Sequence, residues 1–244
     1  MHKLLIVIYS LLFVDFILPY STVQVVTDTL QVESINFSKS TIDSTAWINI
    51  DYPQIVNSDN DSVITKINLF LEQEFKQSIE WYDEIISDTT EIEDTSFKFQ
   101  YSFETGFQVV YNSRDFISIV LDHYQYTGGA HGNYVAFGYN IRLEDGAFIT
   151  LKDIVEESAL DLLTFECEES ILEKYEANSL MEAGLFENEI VLTLDQDFYI
   201  IPGALVLQFD PYEIGPFAMG EITAEIQFEK INDILKQDLP FSTE

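Results

Sequence analysis

The sequence predicts an α+β protein built from antiparallel β-meanders with packed amphipathic helices, arranged as two sequential subdomains. The first observation is composition: 47% of the 244 residues are hydrophobic, and 19 Phe and 13 Tyr favour twisted sheets. The second is order: strand-like runs come in blocks separated by long helical segments. We place the subdomains at residues 46–145 and 146–244.

The N-terminal segment, residues 1–22, is predicted to be a signal peptide or an N-terminal anchor. Lys3 precedes an apolar run from Leu4 to Leu18, which Pro19 ends. This run is short for a membrane-spanning helix, which needs about 20 residues. We therefore expect an exported protein, periplasmic or extracellular, with no membrane contact beyond a possible anchor. Residues 23–45 are rich in Ser, Thr and Asp and are interpreted as a linker.

The first subdomain is predicted to begin with a strand at 46–50, where AWINI alternates apolar and polar residues. An amphipathic helix should follow over roughly 57–85, with good N-cap residues at its start. Its apolar residues recur at spacings of three and four: Val63, Ile67, Phe70, Leu71, Phe75, Ile79 and Tyr82.

Residues 95–143 are predicted to form an antiparallel meander. Thr105-Gly106 is interpreted as a hairpin turn between FKFQYSFE and FQVVYNS. A long strand over 115–126, the turn TGGAHGN at 127–133 and a returning strand over 134–143 should follow. The tripeptide Glu-Asp-Gly at 144–146 then predicts a tight turn.

The second subdomain should start with helical sequence over 151–178, possibly split into two helices. Short strands are predicted at 197–201, 204–209 and 221–228, with a turn at Pro202-Gly203 between the first two. A last helix is predicted over 229–237.

Charge sets the strongest limit on function. With 43 acidic and 11 basic residues, the chain has a formal net charge of −32, which repels DNA and RNA. The same charge would attract a cationic partner, although adaptation to the organism's environment explains it equally well. The one cysteine, Cys167, cannot form an intramolecular disulfide and is expected to be a buried, inert thiol.

Patterns that would indicate catalysis are weak. The sequence has neither G-x-S-x-G, nor G-x-G-x-x-G, nor a P-loop, and its many carboxylates make any one pair uninformative. His123 and His131 flank a turn, with Asp122 nearby, so a zinc site is the one metal hypothesis available. We expect a non-enzyme without cofactor or metal; the alternative is a cell-envelope hydrolase using carboxylates or those histidines.

Two motifs remain. YTGGAHGNY (126–134) is interpreted as a structural loop whose glycines supply unusual backbone conformations. Its structural residues are Thr127, Gly128, Gly129, His131, Gly132 and Asn133. DPYEIGPFAMG (210–220) is a loop stiffened by two prolines that displays large apolar side chains, so it is either a binding loop or a segment folded into its own core. The candidate ligand-binding residues are Pro211, Tyr212, Glu213, Ile214 and Phe217.

These two motifs and LKDIV (151–155) between them resemble a bacterial extracytoplasmic module. The sequence is similar, over roughly 45–240, to the ectodomain of RsiV-type anti-sigma factors and to the non-catalytic N-terminal region of PdaC-type peptidoglycan deacetylases. The resemblance implies binding: RsiV-type ectodomains are receptors for lysozyme, a cationic muramidase, and grip it partly with loops that enter its substrate cleft. It implies a role for the 210–220 loop, with Pro211 and Tyr212 foremost.

The sequence also departs from those relatives. We expect neither the sigma-binding segment of the anti-sigma factors nor the metal-dependent catalytic domain of the deacetylases. The resulting prediction is a non-catalytic binding protein of the bacterial cell envelope, with a basic muramidase or peptidoglycan as its ligand.

Overall fold

The structure, a computed structural model, describes residues 29–41, 45–57, 61–89 and 100–243. The predicted signal peptide or anchor at 1–22 lies outside these residues. Over the described part of the chain, no helix is long and apolar enough to cross a membrane.

A six-stranded sheet forms the first half of the protein. Its strands are β1 (Gln31–Ser40), β2 (Ala46–Asn57), β3 (Tyr101–Asn112), β4 (Phe116–Tyr126), β5 (Asn133–Arg142) and β6 (Ala147–Phe148), in this order across the sheet. One long helix, α1 (Asp61–Thr89), packs on one face of it. The two antiparallel meanders and their packed helices confirm the predicted α+β class.

One pair of strands departs from the antiparallel pattern. β2 and β3 run parallel, because the helix α1 between them carries the chain back toward the end of the sheet at which β2 begins. The helix stripe is as predicted: Ile67, Leu71, Phe75 and Tyr82 are buried against the sheet. The stacked rings of Tyr52 and Phe75, with centroids 4.8 Å apart, tie β2 to the helix.

The predicted linker at 23–45 is wrong over residues 31–40, which form β1. Val32 and Phe37 pack toward α1, whereas Asn36 and Ser38 face away and are exposed. An edge strand with one solvated face needs only a few apolar residues, so its composition resembles that of a linker.

The predicted hairpin turn at Thr105-Gly106 is also wrong. β3 runs straight through it, with Thr105 opposite His123 and Gly106 opposite Asp122 in β4. The reason is the length of β4, whose 11 residues pair with the runs on both sides of the glycine.

The second half of the protein holds a three-stranded antiparallel sheet and short helices. The helices are α2 (Leu151–Ile154), α3 (Leu160–Lys174), α4 (Leu180–Ala183) and α5 (Phe228–Ile231), and the strands are β7 (Phe198–Ile201), β8 (Ala204–Phe209) and β9 (Ile222–Gln227). The helical segment is split, as anticipated. The predicted last helix is shorter than expected, because the chain leaves it to bridge Leu235 to Val155 and to donate the Lys236 amide to the carbonyl of Ile154.

The two sheets meet through buried hydrogen bonds. Asn140 donates its side-chain amide to the carbonyl of Phe198 at 2.8 Å, and the amide of Ile200 donates to the hydroxyl of Ser118 at 3.2 Å. Gln208 donates to the carbonyl of Ala136. These bonds fix β7 and β8 against β4 and β5. The boundary predicted between 145 and 146 stays a prediction, and β6 continues the first sheet just beyond it.

Candidate functional site

The glycine loop, residues 126–134, joins β4 to β5. Gly128 and Gly129 have φ angles of 94° and 105°, a conformation that side chains disfavour. The hydroxyl of Tyr126 donates to the carbonyl of Gly129 at 2.9 Å and closes the turn. Gly132 is buried beneath Tyr124: an added Cβ would lie 2.4 Å from the hydroxyl oxygen of that ring. Thr127 and Asn133 are exposed.

The proline loop, residues 210–220, joins β8 to β9 and is closed by its own backbone. The amide of Tyr212 donates to the carbonyl of Gly215 at 3.0 Å, and the amide of Asp210 donates to the carboxylate of Glu213 at 2.8 Å. Ile214 packs against the core of the second half, together with Met219. One side of the proline loop is thus packed into the core, which is the second of the two interpretations that the sequence left open.

The other side of the proline loop faces solvent. Tyr212 is 54% exposed and Glu213 is exposed, whereas Pro211 and Phe217 are half-buried. Tyr212 has a φ of 74°, unusual for any residue but glycine. The constrained backbone therefore fixes the direction in which the Cα–Cβ bond of Tyr212 leaves the loop.

The two loops form one surface, which the sequence did not predict. The ring of His131 stacks on Phe217, with centroids 3.9 Å apart and planes 19° apart. Because the carbonyl of Gly132 can only accept, His131 Nδ1 donates to it at 2.8 Å, and the other ring nitrogen, Nε2, lies 3.4 Å from the Tyr212 hydroxyl. His131 therefore belongs to the same surface as Tyr212 and Phe217, in addition to shaping its own loop.

An acidic cluster lies beneath this surface. The Tyr134 hydroxyl donates to Asp122 at 2.8 Å and also lies 3.3 Å from a carboxylate oxygen of Glu221. Burial, reinforced by the charge of Asp122, raises the pKa of Glu221 to about 7. Burial also raises the pKa of Asp122 and, first among several causes, that of Tyr134.

The base of the proline loop adds further negative charge. Asp210 accepts a hydrogen bond from the amide of Ala136 at 3.2 Å, and burial raises its pKa. Lys174 donates to the Thr223 hydroxyl at 2.9 Å, and its charge interacts with Glu221. Burial lowers the pKa of this lysine. The surface therefore rests on carboxylates with one neighbouring cation.

The histidines do not form the hypothesised pair. His123 faces α1, where its ring lies 6.5 Å from Phe75 and 5.6 Å from Phe137, and burial lowers its pKa. His131 instead contacts the proline loop, and Asp122 points to the opposite face of β4 from His123. Within residues 29–41, 45–57, 61–89 and 100–243, no three His, Cys, Asp or Glu residues are placed to hold a metal ion.

Cys167 is fully buried in α3, and burial raises the pKa of its thiol to about 12. A thiolate is therefore strongly disfavoured at this position, which does not suit a nucleophile.

Sequence reasoning does not identify Tyr134 and Glu221 as parts of the site, and it considers Asp122 only as a neighbour of a hypothetical zinc site. Two signals were present: Tyr134 ends the first motif, and Glu221 directly follows the second. The contact between the motifs depends on the packing of the two sheets, which no local pattern encodes.

Comparison with known proteins covers both halves of the chain. Residues 38–134 match the sequence model of the family described as Deacetylase PdaC, and residues 152–229 match a protein family of unknown function, DUF3298. The chain is 24% identical over 196 residues to the peptidoglycan-N-acetylmuramic acid deacetylase PdaC of Bacillus subtilis (strain 168). That match covers 77% of this chain but 38% of the deacetylase.

Two solved structures share the fold. A DUF3298 family member from Bacteroides fragilis superimposes with a TM-score of 0.71 at 18% identity, covering 86% of this chain and 94% of its own. A DUF3298 family protein from Pseudomonas aeruginosa PAO1 gives a TM-score of 0.61 at 18% identity, covering 86% and 96%. The chain is therefore similar to the PdaC family model in its first half and to the DUF3298 family model in its second half, in keeping with a PdaC-type N-terminal module.

Proposed function

We propose that this protein is a non-catalytic, exported binding protein of the bacterial cell envelope, and that its partner is a cationic, lysozyme-like protein. The observation that carries the proposal is the joined surface of the proline and glycine loops, with Tyr212 at its exposed tip. The match to the deacetylase of Bacillus subtilis covers 38% of that protein, so we do not transfer the activity of the whole deacetylase to this chain.

Tyr212 has the properties of an interface anchor. Its ring contacts two others, with centroids 5.8 Å from Phe217 and 6.5 Å from His131, and its backbone is closed onto Gly215. A large ring that is already ordered loses little conformational entropy on binding. Tyrosine is also enriched among the residues that dominate binding energy.

The charge around the anchor favours a basic partner. Glu213 is exposed beside Tyr212, and Asp210, Asp122 and Glu221 lie below it. The formal net charge of −32 adds a long-range field that accelerates encounter with a cation. Such attraction weakens as salt shortens the Debye length.

Tyr212→Ala is expected to weaken binding to a basic muramidase by about five- to thirtyfold, which is the loss of a modest hot spot of roughly 1–2 kcal/mol. Thermal stability should change little, because the side chain is more than half exposed. Calorimetric titration of the muramidase, at low and at moderate salt, measures the effect.

The matched control is Trp81→Ala, since Trp81 on α1 is 52% exposed and lies outside the two loops. It should leave the affinity unchanged. Absence of wild-type binding at low salt would refute the proposal. Unfolding of the Tyr212 variant would show instead that the ring serves the core.

A further inference from the structure

The strand β1 forms one edge of the six-stranded sheet, and among the described strands it pairs only with β2. It has ten residues, contains no proline and keeps a continuous register with β2 from Val32 to Ser40. The side chains of Ser34, Asn36 and Ser38 are exposed. Proteins usually shorten, bend or cover such an edge, because its free backbone groups can pair with another strand. β1 therefore offers a regular edge for strand pairing.

The hydrogen bonds to β2 show which backbone groups of β1 point outward. The amide of Thr41 donates to the carbonyl of Ala46 at 2.9 Å, so these two facing residues form a hydrogen-bonded pair. Facing pairs in an antiparallel ladder alternate between bonded and non-bonded. The odd-numbered residues of 33–39 therefore turn their N–H and C=O groups toward β2, and the even-numbered residues of 34–40 turn theirs away from it.

The other end of the ladder agrees with this assignment. Ile55 faces Val32 in the register, yet its amide donates to the side chain of Asn68 and its carbonyl accepts from the same side chain, both at 2.9 Å. Val32 and Ile55 are thus a non-bonded pair, as the alternation requires for an even-numbered residue of β1. The outward backbone groups of 34–40 are therefore available to a second strand.

The charges of β1 are complementary to those of a second, antiparallel copy of itself. Glu33 near its start and Lys39 near its end are its charged residues, so this strand is neutral in a chain of net charge −32. Lys39 contacts Asp83 of α1, and alternation along the strand puts Glu33 on the same face. When Asn36 lies opposite Asn36 of the second copy, each Glu33 faces Lys39 of the other strand.

The same register suits the backbone and the apolar side chains. It sets even-numbered residues opposite each other, so that the outward groups of Asn36 bond to those of the second Asn36. Between the bonded pairs, Ile35 faces Phe37 of the second copy, and apolar cross-strand pairs of this kind stabilise a sheet. A shift by one residue would set outward groups opposite inward ones. A shift by two residues would separate Glu33 from Lys39.

We propose that the protein forms a two-fold dimer in which the β1 strands of two copies pair antiparallel, centred on Asn36, and join the two sheets into one. The interface is small, so the dimer is weak and reversible. The Debye length falls from about 30 Å at 0.01 M salt to about 8 Å at 0.15 M, which screens the repulsion between the two acidic bodies but not the contact of Glu33 with Lys39. This inference does not depend on muramidase binding.

Analytical ultracentrifugation of the full chain tests the dimer. Sedimentation equilibrium at about 0.15 M salt should show a reversible equilibrium between monomer and dimer, with a smaller fraction of dimer at about 0.01 M. Absence of a dimer at the higher salt, up to millimolar concentration of protein, overturns the proposal.

A charge exchange tests the register. Glu33→Lys should weaken the dimer about tenfold, since it sets two pairs of like charges face to face. The variant is less negative than the wild type, so general repulsion alone would predict a stronger dimer. Lys39→Glu should also weaken it, with little change in stability, because the ion pair of Lys39 with Asp83 is exposed. The double variant keeps the wild-type net charge and should recover the wild-type affinity. Failure to recover it, or equal affinity of all four proteins, overturns the proposed pairing.

A proline tests the backbone bonds. The N–H of Asn36 points away from β2, so Asn36→Pro removes no bond of the monomer's ladder but both bonds of the central pair, and it should weaken the dimer by about tenfold or more. The matched control is Asn36→Ala, which removes the same side-chain bonds to Asn49 and Asp51, keeps the N–H and should dimerise like the wild type. Wild-type affinity of the proline variant overturns the proposal. If urea unfolding shows that this variant does not fold, the charge exchange decides.

Discussion

Gly138→Ala is expected to destabilise the protein by about 3 kcal/mol or more, as overpacking against rigid backbone does. A Cβ at this position would lie 2.1 Å from the carbonyl oxygen of Phe198 and 2.8 Å from its carbonyl carbon. The clash is with the main chain of β7, which cannot rotate away as a side chain would. Moving β7 would stretch the bond from Asn140 to the same carbonyl, now 2.8 Å, and leave buried polar groups without partners.

Gly106→Ala is the matched control for this prediction. Gly106 lies in β3 of the same sheet, and no other atom lies within 4 Å of where its Cβ would be. The change should cost less than about 0.5 kcal/mol or stabilise slightly, because alanine restricts the unfolded chain more than glycine does. Urea unfolding of both variants measures the difference. Equal stability of the two would mean that β7 does not pack on β5 as described.

The sequence predicts best those elements whose partners are local. β4 and β5 follow from alternation on either side of a glycine-rich turn, and α1 follows from its apolar stripe. β1 was mistaken for a linker because its polar face outweighs its few apolar residues. The hairpin turn predicted at Thr105-Gly106 is wrong for another reason. The long strand β4 pairs with the residues on both sides of this dipeptide, and this pairing outweighs the local preference for a turn.

The two loops of the candidate site can be predicted from the sequence, but the contact between them cannot. Both loops stand out by their glycine, proline and aromatic content, yet His131 and Phe217 are 86 positions apart and meet only through sheet packing. The raised pKa of Glu221 has the same origin, because burial under two segments distant in sequence is a property of the fold. Local patterns therefore reveal which loops matter, and tertiary structure reveals that they act together.

Glu221→Gln is expected to stabilise the protein by about 3 kcal/mol at pH 8 and to have almost no effect at pH 4. The pKa of Glu221 is raised from 4.5 to about 7 in the folded state, first by burial and then by the charge of Asp122. Below pH 4.5 the carboxyl is protonated in both the folded and the unfolded chain, so it contributes no penalty. Between pH 4.5 and 7 the unfolded chain releases the proton and the folded chain keeps it, so stability falls as pH rises. Above pH 7 the full cost of the buried charge remains, at about 1.4 kcal/mol for each unit of pKa shift.

The glutamine variant removes that charge and keeps an amide oxygen that can accept from Tyr134. Glu225→Gln is the control, because Glu225 is an exposed carboxylate four residues farther along the chain, on β9. Burial also raises the pKa of Asp122 and of Asp210, so these two groups contribute to the pH dependence of the wild-type stability as well. The informative quantity is therefore the difference in unfolding free energy between each variant and the wild type. Urea unfolding from pH 4 to pH 8 measures it. That difference should grow between pH 4.5 and 7 for Glu221→Gln and stay nearly flat for Glu225→Gln. Parallel curves for the two variants would show that Glu221 carries no buried charge at neutral pH, and the acidic base of the two loops would then be as well solvated as the rest of the surface.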